Sequence, residues 1–179
     1  NTSGFLTGIE SMPKTIETLV DAAPDAIQLT TGQARHLQSV PGKEKPALVL
    51  RTDTANIYGK ELPDVRFNVA LEEPILQAVR LDASCVCVNL FIVPGAPEIH
   101  EQCVKNIMKM KVESDHYGMP LMIEPLVFRS NESGGGYTVN GDLDAIVHIV
   151  RQAIELGADI IKADPTDDVS QYHKVVETC

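Results

Sequence analysis

The chain has 179 residues, of which 44% are hydrophobic and 22% charged, values that fit one globular domain and exclude disordered and collagen-like chains. Against 25 Asp and Glu stand 15 Lys and Arg, a net charge of −10 that disfavours binding to phosphate backbones, so no nucleic-acid partner is expected. Apolar runs are too short to span a bilayer, so no membrane partner is expected either.

Strands are expected at residues 26–30, 47–51, 85–91, 121–126 and 159–163, whose starts lie 21, 38, 36 and 38 residues apart. Most of these runs are apolar on both faces, which suits parallel strands covered by helices. Between them, residues 12–23 and 74–81 have the pattern of short helices. A longer helix opens at Pro97 with Glu98 and Glu101 in its first turn, buries Ile99, Cys103, Ile107 and Met110, and stops before Gly118. Another carries the stripe Leu143, Ile146, Val147, Val150, Ala153 and Ile154, with Asn140 or Asp142 as cap and Gly157 as stop. A last helix is expected over 168–177.

Strand then helix, repeated, gives an α/β fold. A (β/α)8 barrel needs about 250 residues, or roughly 31 per unit, so a chain of this length holds five to six units. Five are counted. Either a small doubly wound sheet or an incomplete barrel satisfies that count.

Four cysteines are too few for a disulfide scaffold and fit no zinc ribbon. Cys85 and Cys87 lie side by side on one strand face, a geometry that packs well and bridges poorly. No basic–apolar–small leader opens the chain, and the expected compartment is the reducing cytoplasm, so the Asn131-Glu-Ser133 glycosylation triplet is set aside. The five histidines are scattered and His100-Glu-Gln-Cys lacks the second His of a zinc helix, so neither metal nor cofactor is expected. Ser133-Gly-Gly-Gly136 lacks the Lys-Ser/Thr of a P-loop and is expected to be a flexible loop able to close over a ligand.

Chemistry concentrates at the carboxyl ends of the strands, where parallel α/β folds form their sites. In Gly157-Ala-Asp-Ile-Ile-Lys162-Ala-Asp164 a helix stop is followed by a strand with a lysine near its end. Desolvation without a counter-ion would lower that amine's pKa and make it a nucleophile for carbonyl carbon. The plainer alternative is a lysine paired with Asp164 or Asp159. Glu124, inside the apolar Leu-Met-Ile-Glu-Pro-Leu, is expected to have a raised pKa and to move protons, or else to pair with Lys162 or Arg51. Arg51 and Asp53 share a face at the end of another strand: the arginine can fork onto phosphate or carboxylate, or tie to Asp53. Asn89 ends its strand and can bond a substrate hydroxyl.

Gly157-Ala-Asp-Ile-Ile-Lys162 with its polar loop to Asp168, and Gly8-Ile-Glu with Thr18-Leu-Val-Asp-Ala-Ala-Pro-Asp-Ala-Ile-Gln-Leu-Thr-Thr-Gly32, resemble the class I aldolase superfamily. That group includes archaeal-type fructose-bisphosphate, tagatose-bisphosphate and deoxyribose-phosphate aldolases. The resemblance implies a (β/α)8 barrel, incomplete in residues 1–179, whose five strands are strands two to six. It implies that Lys162 is the Schiff-base lysine on strand six. The family's Asp-His-Gly on strand one would precede Asn1, and its phosphate-binding strands seven and eight would follow Cys179. Where archaeal-type members have a Tyr after strand five, this chain has Ile123-Glu-Pro-Leu-Val-Phe128, closer to the Leu-Glu-Ile-Leu of tagatose-bisphosphate aldolase, so the resemblance assigns the proton shuttle to Glu124.

The expected function is thus a metal-independent class I aldolase on a phosphorylated ketose such as fructose- or tagatose-bisphosphate, with catalytic Lys162 and Glu124 and substrate-binding Arg51, Asp53 and Asn89. The alternatives are a non-catalytic sugar-phosphate-binding barrel and a thiolase-like acyl transferase on the same fold. The expected partners are the small phosphosugar and further copies of the chain in a homo-oligomer.

Overall fold

The computed structural model describes residues 7–179. Residues 1–6, on which the reading of the leader partly rests, lie outside them.

The chain opens with helix α1 (Met12–Asp21), strand β1 (Ala26–Thr30), helix α2 (Thr31–Gln38) and strand β2 (Ala47–Arg51). Strands β3 (Asp53–Ala55) and β4 (Asn68–Ala70) follow, then helix α3 (Pro74–Arg80), strand β5 (Cys85–Ile92) and helix α4 (Pro97–Tyr117). The last part is strand β6 (Leu121–Ser130), strand β7 (Tyr137–Val139), helix α5 (Leu143–Glu155), strand β8 (Ile160–Ile161), a 3-10 turn (Val169–Gln171) and helix α6 (His173–Val176).

Strands β1, β2, β5, β6 and β8 pair in parallel, each beside the next in the chain. A doubly wound sheet reverses its order at a switch point, whereas a barrel adds strands in sequence. The sheet is therefore a curled part of a (β/α)8 barrel, and the choice left open by the sequence closes. Short β7 runs antiparallel on β6, and β3 pairs with β4 in a separate ribbon.

Helix ends follow local chemistry. Pro97 stands at the start of α4, where its missing N–H costs nothing, and the helix halts at Gly118. Asp142 caps α5 by accepting the Ala145 N–H at 2.9 Å, and after the helix Gly157 takes φ +90°, a conformation that costs glycine least.

Several expectations change. The run at 159–163 is strand only at Ile160 and Ile161, flanked by ladder bonds from the Asp159 and Lys162 N–H groups to β6, and 168–177 splits into the 3-10 turn and short α6. Strand β1 is not apolar on both faces: Ile27 and Leu29 are buried while Gln28 and Thr30 are exposed. The glycines at 134–136 form the tip of the β6–β7 hairpin, where the Asn131 carbonyl accepts the Gly135 N–H at 2.9 Å.

The main core lies between sheet and helices. Leu48, Leu50, Val86, Val88, Leu90, Leu121 and Ile123 are at most 1% exposed, and α4 and α5 pack on β5 and β6. Each such side chain contributes roughly 1.5–3 kcal/mol by leaving water.

Candidate active site

Side chains alternate along a strand, so the residues between those core positions point to the other, concave face. Low on that face Val49, Cys85, Cys87 and Met122 pack into one small apolar cluster, with both thiols buried and unbridged. Two residues further along each strand the lining turns polar: Arg51 on β2, Asn89 on β5 and Glu124 on β6. The register pairs Asn89 with Glu124 and Met122 with Ile160. The Lys162 N–H continues the ladder to the Ile123 carbonyl at 3.0 Å, so the step after Ile160 on the concave face is Lys162, beside Glu124.

Glu124 is the hub. One carboxylate oxygen accepts from Lys162 Nζ and the other from Arg51 Nη2. The Cys87 thiol approaches that second oxygen at 3.9 Å. Arg51 also donates to Asn89 Oδ1 at 2.7 Å and to Asp53 Oδ1 at 3.3 Å. Asp53 in turn accepts the Asn89 backbone N–H at 2.8 Å and its side-chain amide at 3.1 Å. The five residues singled out in the sequence thus form one connected network. Asn89 stands within its strand, not at its end.

Their exposures differ in a useful way. The Asp53 side chain is 0% exposed, Glu124 12%, Arg51 15% and Lys162 49%. Asp53 is the floor, holding Arg51 and Asn89, and the amine of Lys162 is the part that opens to solvent.

Burial pushes the Glu124 carboxyl up, but Arg51 and Lys162 together outweigh it and hold it below the usual carboxylate range. This corrects the expectation of a raised value, which considered the apolar strand and not two cations arriving from β2 and β8. Asp53 goes the other way: burial dominates over Arg51 and the Asn89 N–H, and its carboxyl is raised. Burial and the charge of Glu124 also raise Asp164, which Lys162 partly offsets. Of the partners considered for Lys162, Asp164 forms no ion pair with it, and Asp159 pairs with Lys111 at 3.6 Å. The Cys87 thiol is pushed up to about 12, chiefly by burial, so it stays protonated.

Sequence reasoning passed over Tyr58. Its ring lies edge-on to Phe91 and Phe128, with centroids 6.4 and 6.3 Å away, and burial pushes its phenol up to about 12 against the pull of Arg51. It sits in an irregular segment with no periodicity to flag it. Among the described residues no three His, Cys, Asp or Glu side chains gather in a way that could hold a metal ion.

Comparison with known proteins gives the chain a family. The chain matches the DeoC/LacD family aldolases over residues 1–179, and it belongs to that family. It is 25% identical over 175 residues to an uncharacterized aldolase of Saccharolobus solfataricus, covering 97% of this chain and 63% of that protein. It is 30% identical over 176 residues to the 3-hydroxy-5-phosphonooxypentane-2,4-dione thiolase of Yersinia pseudotuberculosis, covering 98% of this chain and 54% of the thiolase. The crystal structure of an archaeal fructose 1,6-bisphosphate aldolase has the same fold, with TM-score 0.69 at 24% identity over 93% of this chain and 60% of that one. A Schiff base forming fructose-1,6-bisphosphate aldolase gives TM-score 0.70 at 22% identity over 94% and 61%. The chain therefore spans between about half and two thirds of the length of these relatives.

Proposed function

We propose, on the premise of membership in the DeoC/LacD aldolase family, that this chain carries the lysine part of a class I aldolase site acting on a phosphorylated ketose. The observation that carries the reading is the Lys162–Glu124–Arg51 network on the concave face of the parallel sheet.

In this reading the neutral amine of Lys162 attacks the ketone carbon, and loss of water from the adduct leaves an iminium. The hydroxyl on the departing carbon gives its proton to a base, and that carbon becomes an aldehyde. The bond between it and the iminium's neighbouring carbon breaks, and its electron pair passes to the iminium to form an enamine. This is covalent catalysis with the lysine as electron sink and needs no metal. Glu124 touches the amine and moves the protons that Schiff-base formation and enamine protonation require. Held ionised by two cations, Glu124 is a weak base at rest. A substrate anion that draws Arg51 away raises the proton affinity of Glu124 in the same event that brings the carbonyl to the amine. Asp53 and Asn89 hold the guanidinium ready for that exchange.

The 30% identity to a thiolase favours a second reading, acyl transfer to coenzyme A from a phosphorylated diketone. Turnover of several phosphorylated ketoses, with and without coenzyme A, separates the two. Carbon–carbon cleavage without coenzyme A, lost in Lys162→Met, supports the lyase. Cleavage that consumes coenzyme A supports the thiolase, and saturable binding without cleavage supports a sugar-phosphate-binding barrel. A soluble protein of the reducing cytoplasm, assembled as a homo-oligomer, is the setting in which we place this activity.

A further inference from the structure

Tyr58 presents a hydroxyl at the mouth of the site with no hydrogen-bond partner among the described residues. Its ring is edge-on to Phe91 and Phe128, which are themselves 5.5 Å apart. Phe91 stands two residues beyond Asn89 on β5, and Phe128 four beyond Glu124 on β6. The two rings therefore seat Tyr58 over the carboxyl ends of the central strands, beside the place where Arg51, Glu124 and Lys162 meet.

The segment bearing Tyr58 is fixed from outside. Gly135 and Gly136, at the tip of the β6–β7 hairpin, lie so close to the carbonyls of Lys60 and Gly59 that a β-carbon on either would collide with backbone. Tyr137, on the same hairpin, accepts from Arg66 at 2.6 Å and donates to the Pro94 carbonyl at 3.1 Å. The glycine-rich tip thus works as a clamp on the loop of residues 56–67. A largely buried phenol normally finds a partner for its hydroxyl. Tyr137 and Tyr172 have theirs, whereas the Tyr58 hydroxyl has none among the described residues and is not sealed from solvent. The nearby oxygens of Glu124 are already taken by Lys162 and Arg51.

We propose that Tyr58 is a substrate-binding residue of this site, its phenol donating a hydrogen bond to a hydroxyl or phosphate oxygen of the ketose. The proposal rests on the lyase reading for the identity of the ligand. A phenol that keeps its proton up to about 12 is a constant neutral donor across the physiological range, and the clamp fixes where it points.

Tyr58→Phe keeps the ring and removes only an oxygen that has no partner among the described residues, so the thermal midpoint is expected to stay unchanged. Two ketones then separate this contact from the lyase reading: dihydroxyacetone phosphate, rich in acceptor oxygens, and acetone, which has only its carbonyl. With borohydride and subsaturating ketone, trapping at Lys162 is expected to slow roughly tenfold in Tyr58→Phe for dihydroxyacetone phosphate and not at all for acetone. Equal slowing with both ketones, or with neither, overturns the Tyr58 contact and leaves the lyase reading standing. If the unsubstituted protein traps neither ketone, the lyase reading fails, and calorimetric titration with dihydroxyacetone phosphate decides Tyr58 by itself. A Kd raised about tenfold in Tyr58→Phe supports the contact; an unchanged Kd, or no binding at all, overturns it.

Discussion

The two faces of the parallel sheet are made by alternate residues of the same strands and do different work. On the convex face Leu50, Val88, Leu90, Leu121 and Ile123 are 0% exposed beneath the helices. On the concave face a small patch of Val49, Cys85, Cys87 and Met122 gives way, one step along, to Arg51, Asn89, Glu124 and Lys162. Ile123 and Glu124 are neighbours in sequence yet serve core and site respectively. Period-two alternation makes this possible, because one face can be filled for stability while the other holds charges that would be costly within a core.

The sharpest way to break this contrast is Lys162→Met. Turnover should fall by about a thousandfold or more, equivalent to roughly 4 kcal/mol in the barrier. Denaturant unfolding should change by less than about 1 kcal/mol, because the lysine is half exposed. A variant that loses its fold along with its activity would place Lys162 among the structural residues.

Leu90→Ala, one residue from Asn89 but on the convex face, should do the reverse. It opens a cavity where the side chain is 0% exposed. About 3 kcal/mol of stability is expected to go, read as a fall of roughly 10 °C in the thermal midpoint. The activity of the molecules still folded should survive.

Glu124→Gln sits between these extremes. It leaves Arg51 and Lys162 without their carboxylate, and about 2 kcal/mol of stability should be lost at pH 7. The pH dependence sharpens the test. Because the folded-state carboxyl lies below its ordinary 4.5, its contribution is fully present above that value and is lost as the pH falls through the lowered one. The gap between protein and variant in urea unfolding should therefore close below pH 4.5. A gap that widened there would mean that burial, and not the two cations, governs Glu124.

Met122→Leu, in the apolar patch low on the concave face, should be the mildest. The swap conserves volume, and chemical unfolding should shift by less than about 1 kcal/mol with activity intact.

Much of this was legible in the chain. The apolar run of β2 ends abruptly at Arg51, and the α4 helix is bracketed by Pro97 and Gly118, so their limits coincide with expectation. Helix α2 escaped notice because only Ala34 and Leu37 of its eight residues are buried, too few to show a period. The ribbon of β3 and β4 escaped because three-residue strands are too short to establish an alternation. At the site, the residue types were readable, but the partnerships were not, and Asn89 and Glu124 lie within their strands, not at the expected ends. Arg51 aligns in the ladder with Cys87, yet its side chain reaches Asn89 and Glu124, a diagonal that depends on strand stagger. That diagonal turned the expected rise of the Glu124 carboxyl into a fall. Tyr58 arrives from an irregular loop, through contacts with Phe91 and Phe128 that no local pattern encodes.

The central claim is that the concave face works through one amine. The protein incubated with a phosphorylated ketose and borohydride, then digested and weighed peptide by peptide, tests it most directly. A covalent mass on the peptide carrying Lys162, absent without the ketose and absent in Lys162→Met, is the predicted result. A ketose that is cleaved while that peptide keeps its unmodified mass would contradict the account.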